Sequence, residues 1–515
     1  MRSSEQNALG GDWLKNSMIP ESARRLGRIR SRALILASAL AVLSSCIGMG
    51  NLTSRTAPSP DFPWTPPASH GTPAVAPLPA QIPAELIPSR QNWTLADLVN
   101  IGLLNNIQTH AAWAAARSAS AGVDIARSAY FPDVSLSVTG TKTKGSALGG
   151  RFVFDYSSLG PTASIDYLLL DLGGRNAVAD EARQALAAAN WTQNFVIQNV
   201  ILQVEQNYYL YLTARALLEA YSVSLKEAET NLDAATVRHD AGVATIAELL
   251  QAKTAFSQAE LNMVSTQGLV QTYKATLANS IGLAANTGFE VADALPASLP
   301  LDRVSGEVDR YIAQAQAARP DLVAARSQVL QAQARIRAVR SDGWPSLIAA
   351  GSIGKLYYLH NPTPSNNYTF SVTLNIPVSG GIANQYRVLQ AAADADAATA
   401  QMEGLEQAST VQVWISYFNL KTAAQRITTA QALYDSAEES HRVAFGRYKE
   451  GVGSILDLLA AQTALENGRV QLIQAKADWL TSLVQFAHDT GTLDKPDKTL
   501  PGIIPTPAKK GDHRP

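Results

Sequence analysis

The sequence predicts a mixed, mainly α-helical fold made of two similar halves, each carrying one β-hairpin, so that four strands alternate with long helices. Three observations predict it. A helix-turn-helix segment occurs twice at a constant spacing, long stretches rich in Ala, Gln, Leu and Glu contain almost no Pro or Gly, and short stretches alternate apolar with hydroxyl residues.

Residues 1–45 read as a secretory signal, with Met18 as an alternative start. Arg24, Arg25, Arg28, Arg30 and Arg32 precede an apolar run from Ala33 to Leu43, which at 11 residues is too short to span a bilayer as a helix. The chain's only cysteine, Cys46, follows in Leu43-Ser44-Ser45-Cys46, which resembles a bacterial lipobox. This spacing predicts covalent fatty-acyl chains, palmitate among them, on Cys46, each buried CH₂ contributing about 0.8 kcal/mol of membrane affinity. The alternative is an incidental or buried thiol. Ile47 stands where an aspartate signals inner-membrane retention, so the outer membrane is the expected address. Residues 46–92 then read as a tether, because ten prolines between Pro58 and Pro88 prevent helix and favour extended chain.

The first repeat spans 93–300 and the second 301–490, with 491–515 as a flexible tail. Arg238, Gly242, Val243, Ile246, Leu249, Leu250, Ala252, Thr254 and Ala255 coincide at an offset of 209 with Arg447, Gly451, Val452, Ile455, Leu458, Leu459, Ala461, Thr463 and Ala464. Tyr130-Phe131-Pro132-Asp133 matches Gly343-Trp344-Pro345-Ser346, and Gly173-Gly174 matches Gly380-Gly381. Each half therefore reads helix, strand, loop, strand, long helix, sharp turn, helix. Helices are expected at 94–129, 175–240, 245–283, 308–341, 382–449 and 454–490. Strands are expected at 134–142 and 162–170 (hairpin 134–170) and at 346–355 and 368–377 (hairpin 346–377).

The strands rest on alternation, clearest in Tyr368, Phe370, Val372, Leu374 and Ile376 against Thr369, Ser371, Thr373 and Asn375. A soluble sheet with one buried face has the same periodicity. A helix over 175–240 is about 100 Å long at 1.5 Å per residue, far beyond a globular core, and belongs in a coiled-coil-like wall. Helices 245–283 and 308–341 together have the length to stack end to end alongside it.

If the hairpins enter a bilayer, every backbone N–H and C=O needs a partner, and four strands cannot close a barrel. Two chains supply roughly 8 strands, whose interior side chains fill; three supply roughly 12, the smallest multiple that leaves a passage. A homotrimer is the physical preference.

This plan resembles the TolC-like outer-membrane efflux proteins, in particular their lipoprotein (NodT-type) branch of drug-efflux exit ducts. The resemblance covers about residues 93–490 and is carried by the duplication, the Arg-x-x-x-Gly-Val-x-[Ser/Thr]-x-x-[Asp/Glu]-Leu-Leu turns, the aromatic-proline strand entries and Cys46. It implies a trimeric 12-stranded outer-membrane barrel continued by a long α-helical periplasmic tunnel. Its implied partners are outer-membrane lipid, a periplasmic adaptor (membrane fusion) protein and an inner-membrane transporter.

The turns, near 238–250 and 447–459, are the candidate functional residues. Gly242 and Gly451 supply the left-handed conformation that ends a helix, and Thr245-x-x-Glu248 and Ser454-x-x-Asp457 read as capping boxes. A tight helical hairpin alone accounts for these residues. The resemblance adds adaptor docking at Arg238, Gly242, Val243, Thr245, Arg447, Gly451, Val452 and Ser454. Arg238 and Arg447 either neutralise helix C-terminal carbonyls or pair with partner carbonyls. The family match places a periplasmic gate at Leu456 and Asp457, though Asp457 as a simple helix cap is equally open; Ala460 stands where relatives have a second aspartate.

A formal net charge of −1 gives no excess for binding nucleic acid. The seven histidines have no metal-ligand spacing, and the Gly-Gly pairs lack a phosphate-loop continuation, so neither an enzyme nor a cofactor beyond the lipid on Cys46 is expected. A lipidated coiled coil or adhesin that conducts nothing is a rival, as is protein secretion in place of small-molecule efflux; Tyr357 and Tyr358, suited to a membrane interface, argue against the adhesin.

Overall fold

The computed structural model describes residues 56, 57, 59–64, 93–147, 149–301, 306–359, 361–378 and 380–494, all within one unit, Thr53–Pro515. The signal, Cys46, most of the tether and the tail from 495 lie outside the described residues.

Each half contains four helices and a hairpin. The first has α1 (Leu95–Asn105), α2 (Ile107–Ser128), β1 (Asp133–Ala147), β2 (Phe152–Leu170), α3 (Gly174–Asp240) and α4 (Ile246–Ser280). The second has α5 (Val308–Ala318), α6 (Pro320–Ser341), β3 (Ser346–Tyr358), β4 (Asn361–Asn375), α7 (Gly380–Lys449) and α8 (Ile455–Asp489). The glycine pairs do open the long helices, which start at Gly174 and Gly380.

Two expectations are corrected. The helices expected at 94–129 and 308–341 are each broken into two, at Asn106 and Arg319, both in extended backbone. Asn106 caps α2 by accepting the Gln108 N–H at 2.8 Å, and Arg319 precedes Pro320, whose ring disfavours a helical residue before it. The breaks also decide which short helices stack. Asn106 donates to the Ser280 carbonyl at 3.2 Å, and Arg319 to the Asp489 carbonyl at 3.4 Å. So α4 is continued by α2 of its own half, not by 308–341, and α8 is continued by α6. Gly282 and Gly491 seal the joints: with φ of 74° and 71°, a Cβ there would meet the Asn105 carbonyl oxygen at 2.7 Å or the Ala318 carbonyl carbon at 3.0 Å.

Packing then orders the helices as one wall. α3 packs on α2 and α4 at one side and on α6 and α8 at the other, and α7 packs on α6 and α8. The sequence of layers is α2/α4, α3, α6/α8, α7. The sheet repeats that order, β1-β2-β3-β4, all antiparallel. Where the wall is thickest, α1 and α5 add a waist core that includes Trp93 stacked on Phe289 at 5.4 Å, Leu98, Ile201, Tyr208 and Trp479. Part of the expected tether packs here too. Trp64 donates its N–H to Asn194 at 2.6 Å and accepts the Asn194 amide at 2.7 Å, while Trp113 donates to the Ala57 carbonyl at 2.8 Å.

The strands are longer than expected, reaching into residues read as loop. Register shows why the alternation ended early. Rows Val134/Ile165/Gly351/Phe370 and Leu136/Ala163/Ile353/Tyr368 run across all four strands on one face. The alternating rows, Ser135/Ser164/Ser352/Thr369 and Ser137/Thr162/Gly354/Asn367, form the other face. Beyond Ser158↔Tyr358 only the β1–β2 hairpin continues, as a two-stranded arm, and there the polarity inverts. Lys142 and Lys144 take the face of Val134 and Leu136, while Phe152, Phe154 and Tyr156 take the hydroxyl face. An apolar period-two pattern loses phase at such an inversion.

Candidate functional site

Two regions have the geometry of function: the helical-hairpin tips and the sheet. At the first tip, Gly242 has φ 73°, its N–H donates to the His239 carbonyl, and the N–H groups of Val243 and Ala244 both donate to the Arg238 carbonyl at 2.9 and 3.1 Å. The second tip repeats this. Gly451 has φ 78°, and Val452 and Gly453 both donate to the Arg447 carbonyl at 3.0 Å. Each carbonyl at the end of a long helix is thus satisfied by the turn that follows it.

Thr245 and Glu248 form a full capping box, each accepting the other's backbone N–H at 3.3 Å. The second turn keeps only half of one: Ser454 accepts the Asp457 N–H at 3.1 Å, without the reciprocal bond expected from the sequence. Side-chain length does not account for the difference, because Asp97 closes a full box with Thr94 at the start of α1. Each cap contributes about 1 kcal/mol.

The tips lie side by side, joined by contacts the sequence did not reveal. The Arg238 guanidinium donates to the Tyr448 carbonyl at 3.3 Å and lies 4.9 Å over the Tyr448 ring. It therefore meets a helix C-terminal carbonyl, but that of the neighbouring hairpin. Tyr448 is 1% exposed and heads a small core with Ile455 and Leu458. Burial pushes its phenol above the ordinary range. Further up, Asn231 bonds Gln462 at 2.7 Å, Asn262 bonds Glu466 at 2.8 Å, and Arg469 pairs with Glu227 at 3.2 Å. These polar side chains sit on helix faces that read as solvent-facing until α8 is placed against α3 and α4.

Arg447, Gly242, Gly451, Thr245 and Ser454 are exposed, and so are Val243 and Val452, two apolar groups at the apices. Leu456 and Asp457 are exposed on α8, on the side away from Ile455 and Leu458. The two tips bring all the sequence-selected residues together except Cys46, which lies outside the described residues.

The sheet presents its apolar face to the surroundings: Tyr368 is 84% and Phe370 76% exposed. Leaving such side chains in water forgoes roughly 1.5–3 kcal/mol each. On β3 the apolar-face residues Ile353 and Tyr357 are exposed while Ser352, Gly354 and Tyr358 on the other face are sheltered, so the sheet curls with its hydroxyl face inside. The pair Tyr357 and Tyr358 is split: Tyr357 points outward, whereas Tyr358 meets Tyr156 on the inside at 5.6 Å. Phe131 and Trp344 are exposed where the strands begin.

At the waist, Glu205 is 7% exposed on α3, and burial raises its carboxyl to about 8. Among the described residues, no group of three or more His, Cys, Asp or Glu is placed to hold a metal, and no helix is long and apolar enough to cross a membrane.

Residues 98–283 and 311–492 match the family model of outer membrane efflux proteins. The chain is 25% identical to Protein CyaE of Bordetella pertussis over 95% of this chain and 100% of that protein. It is 24% identical to the probable efflux pump outer membrane protein TtgC of Pseudomonas putida over 79% of this chain and 86% of that one. Among solved structures, the outer-membrane channel OprN superposes with a TM-score of 0.70 at 18% identity, covering 78% of this chain and 91% of that chain. The outer membrane protein VceC of Vibrio cholerae does so with a TM-score of 0.68 at 19% identity, covering 77% and 96%.

Proposed function

Because this chain belongs to the outer membrane efflux protein family, we propose that three copies join edge to edge into a barrel and tunnel through which small molecules leave a Gram-negative cell. The observation that carries this reading is the shared order of sheet and wall. One copy ends at β1/α2/α4 on one side and at β4/α7 on the other, so the same two edges stay open along the whole element order. Open strand edges in hydrocarbon are excluded, and a neighbouring copy's β4 is the available partner for β1. The α7 edge carries exposed Ile382, Tyr386, Leu389, Val411, Trp414 and Ile415, surface that a neighbour's α2/α4 edge would cover.

In this arrangement the apolar sheet face meets lipid, the hydroxyl face lines the passage, and the helical wall extends into the periplasm. The tips point to the far end, where Val243 and Val452 give an apolar contact for a periplasmic adaptor served by an inner-membrane transporter. Three copies of Leu456 and Asp457 form the constriction, and fatty-acyl chains on Cys46 tie the chain to the membrane.

Light scattering of detergent-solubilised full-length chain and planar-bilayer conductance test the core of this reading. The mass of three copies and discrete conductance are expected; a monomer, or a non-conducting oligomer, refutes it.

A further inference from the structure

The inverted polarity of the β1–β2 arm identifies a ligand for its outer face. Below Gly140 the outward rows are apolar apart from Lys355 and Asn366 in the Val138 row. Above Gly140 they are basic: Lys142 and Lys144 follow Val134, Leu136 and Val138 on the same face of β1. Lys355 shares that face on β3, with its ammonium 5.9 Å from the Tyr357 ring. Arg151 stands in the hairpin turn. Between Lys142 and Ser157 the only acidic residue is Asp155, which lies 4.0 Å from Lys142, so four cations face one carboxylate.

These cations remain open to the surroundings. The Lys142 side chain is 72% exposed, and Lys144 and Lys355 are exposed. Meanwhile the arm's aromatic groups turn inward: Tyr156 lies 6.2 Å from Phe154, whose ring covers Gly145 on the inner face. A hairpin meant only to stand in water has no reason to segregate aromatics to one side and lysines to the other.

Height decides what the lysines meet. Successive outward rows are two residues apart, about 6.8 Å along a strand, or roughly 5 Å of depth at a barrel tilt near 40°. Lys355 lies level with Val138, one row below the top of the apolar band, where its methylenes remain among acyl chains while the ammonium reaches up. Lys142 and Lys144 stand roughly 10 and 15 Å above it, in the headgroup layer of the outer leaflet.

We propose that Lys142, Lys144 and Lys355 on the outward face, with Arg151 in the hairpin turn beyond them, form a site for the phosphate groups of an outer-leaflet glycolipid, a phosphorylated glucosamine lipid of the lipid A class. The ammonium groups take the place that divalent cations hold between neighbouring anionic headgroups, so each chain is ringed by lipid it binds by charge. The proposal rests on the barrel reading given above, since it needs the apolar rows in a bilayer.

The test uses the full chain in detergent, titrated with bis-phosphorylated lipid A and with the same lipid stripped of phosphate, bound lipid being counted by native mass spectrometry. Wild type is expected to prefer the phosphorylated lipid on the order of tenfold or more, a preference that falls as salt rises. The variant K142Q/K144Q/K355Q is expected to bind both lipids alike. Both proteins are also measured in phosphatidylethanolamine bilayers, where equal conductance is expected. A wild type indifferent to phosphate, or a variant that keeps the preference, overturns the proposal while leaving the conducting barrel standing. Absence of conductance from wild type overturns the barrel reading and this site with it.

Discussion

Adjacent residues Leu136 and Ser137 offer the sharpest examination of which face of the sheet meets lipid. Six outward rows, from Leu347/Leu374 to Leu159/Tyr357, make a band that is apolar except for Lys355 and Asn366 in the fifth row; at about 5 Å of depth per row it is about 25 Å tall, the height a membrane barrel requires. The Leu136 row is the fourth from the bottom, about 3 Å from the mid-plane. An arginine in place of Leu136 enters hydrocarbon there and is expected to cost about 2–4 kcal/mol. One residue on, Ser137 faces inward with Thr162 and Gly354, and Ser137→Arg is expected to stay within about 0.5 kcal/mol. Equilibrium unfolding of both variants from phospholipid vesicles by guanidinium, followed by tryptophan fluorescence, measures the two. Equal costs, or a loss below about 1 kcal/mol for Leu136→Arg, would refute the assignment of faces.

The glycines separate two kinds of constraint. A Cβ at Gly242 meets nothing within 4 Å, so Gly242→Ala pays only for its left-handed backbone, about 1 kcal/mol, whereas Gly282→Ala adds a clash with the Asn105 carbonyl and should lower the thermal midpoint further. Glu205 should make stability fall with pH. Its folded carboxyl titrates near 8 against an ordinary value of 4.5, so stability is full below 4.5, declines as pH rises through about 8, and Glu205→Gln should flatten that slope in chemical-denaturation curves at pH 5 and pH 9. Substituting Val243→Asp together with Val452→Asp should weaken capture by the cognate adaptor in a pull-down while leaving bilayer conductance unchanged; unchanged capture removes the tips from the docking surface. Arg238→Ala loses both the Tyr448 carbonyl bond and the ring contact, an expected cost of about 1–2 kcal/mol in thermal unfolding.

What the sequence alone determined is whatever local chemistry enforces. The duplicated turns were legible because a helical hairpin needs a left-handed glycine followed by a capping residue, and Gly242/Thr245 and Gly451/Ser454 supply them at one spacing. The long helices were legible from composition, and the lower rows of the sheet from strict alternation. Even the break before Pro320 had a local signal, the proline itself, although the matching break at Asn106 had only a capping side chain within an otherwise helical run.

Tertiary structure decided everything that depends on which surfaces meet. Asn231, Asn262, Glu227 and Arg469 read as solvated until α8 lies against its neighbours, and only register shows that Lys142 and Leu136 share a face although one is basic and the other apolar. The stacking of α4 on α2, and of α8 on α6, is likewise a relation between segments far apart in the chain, set by Gly282 and Gly491 fitting against the broken helices. Local propensity acts over a few residues and fixes the elements; the pairing of faces is a long-range choice made by burial, which no window along the sequence contains.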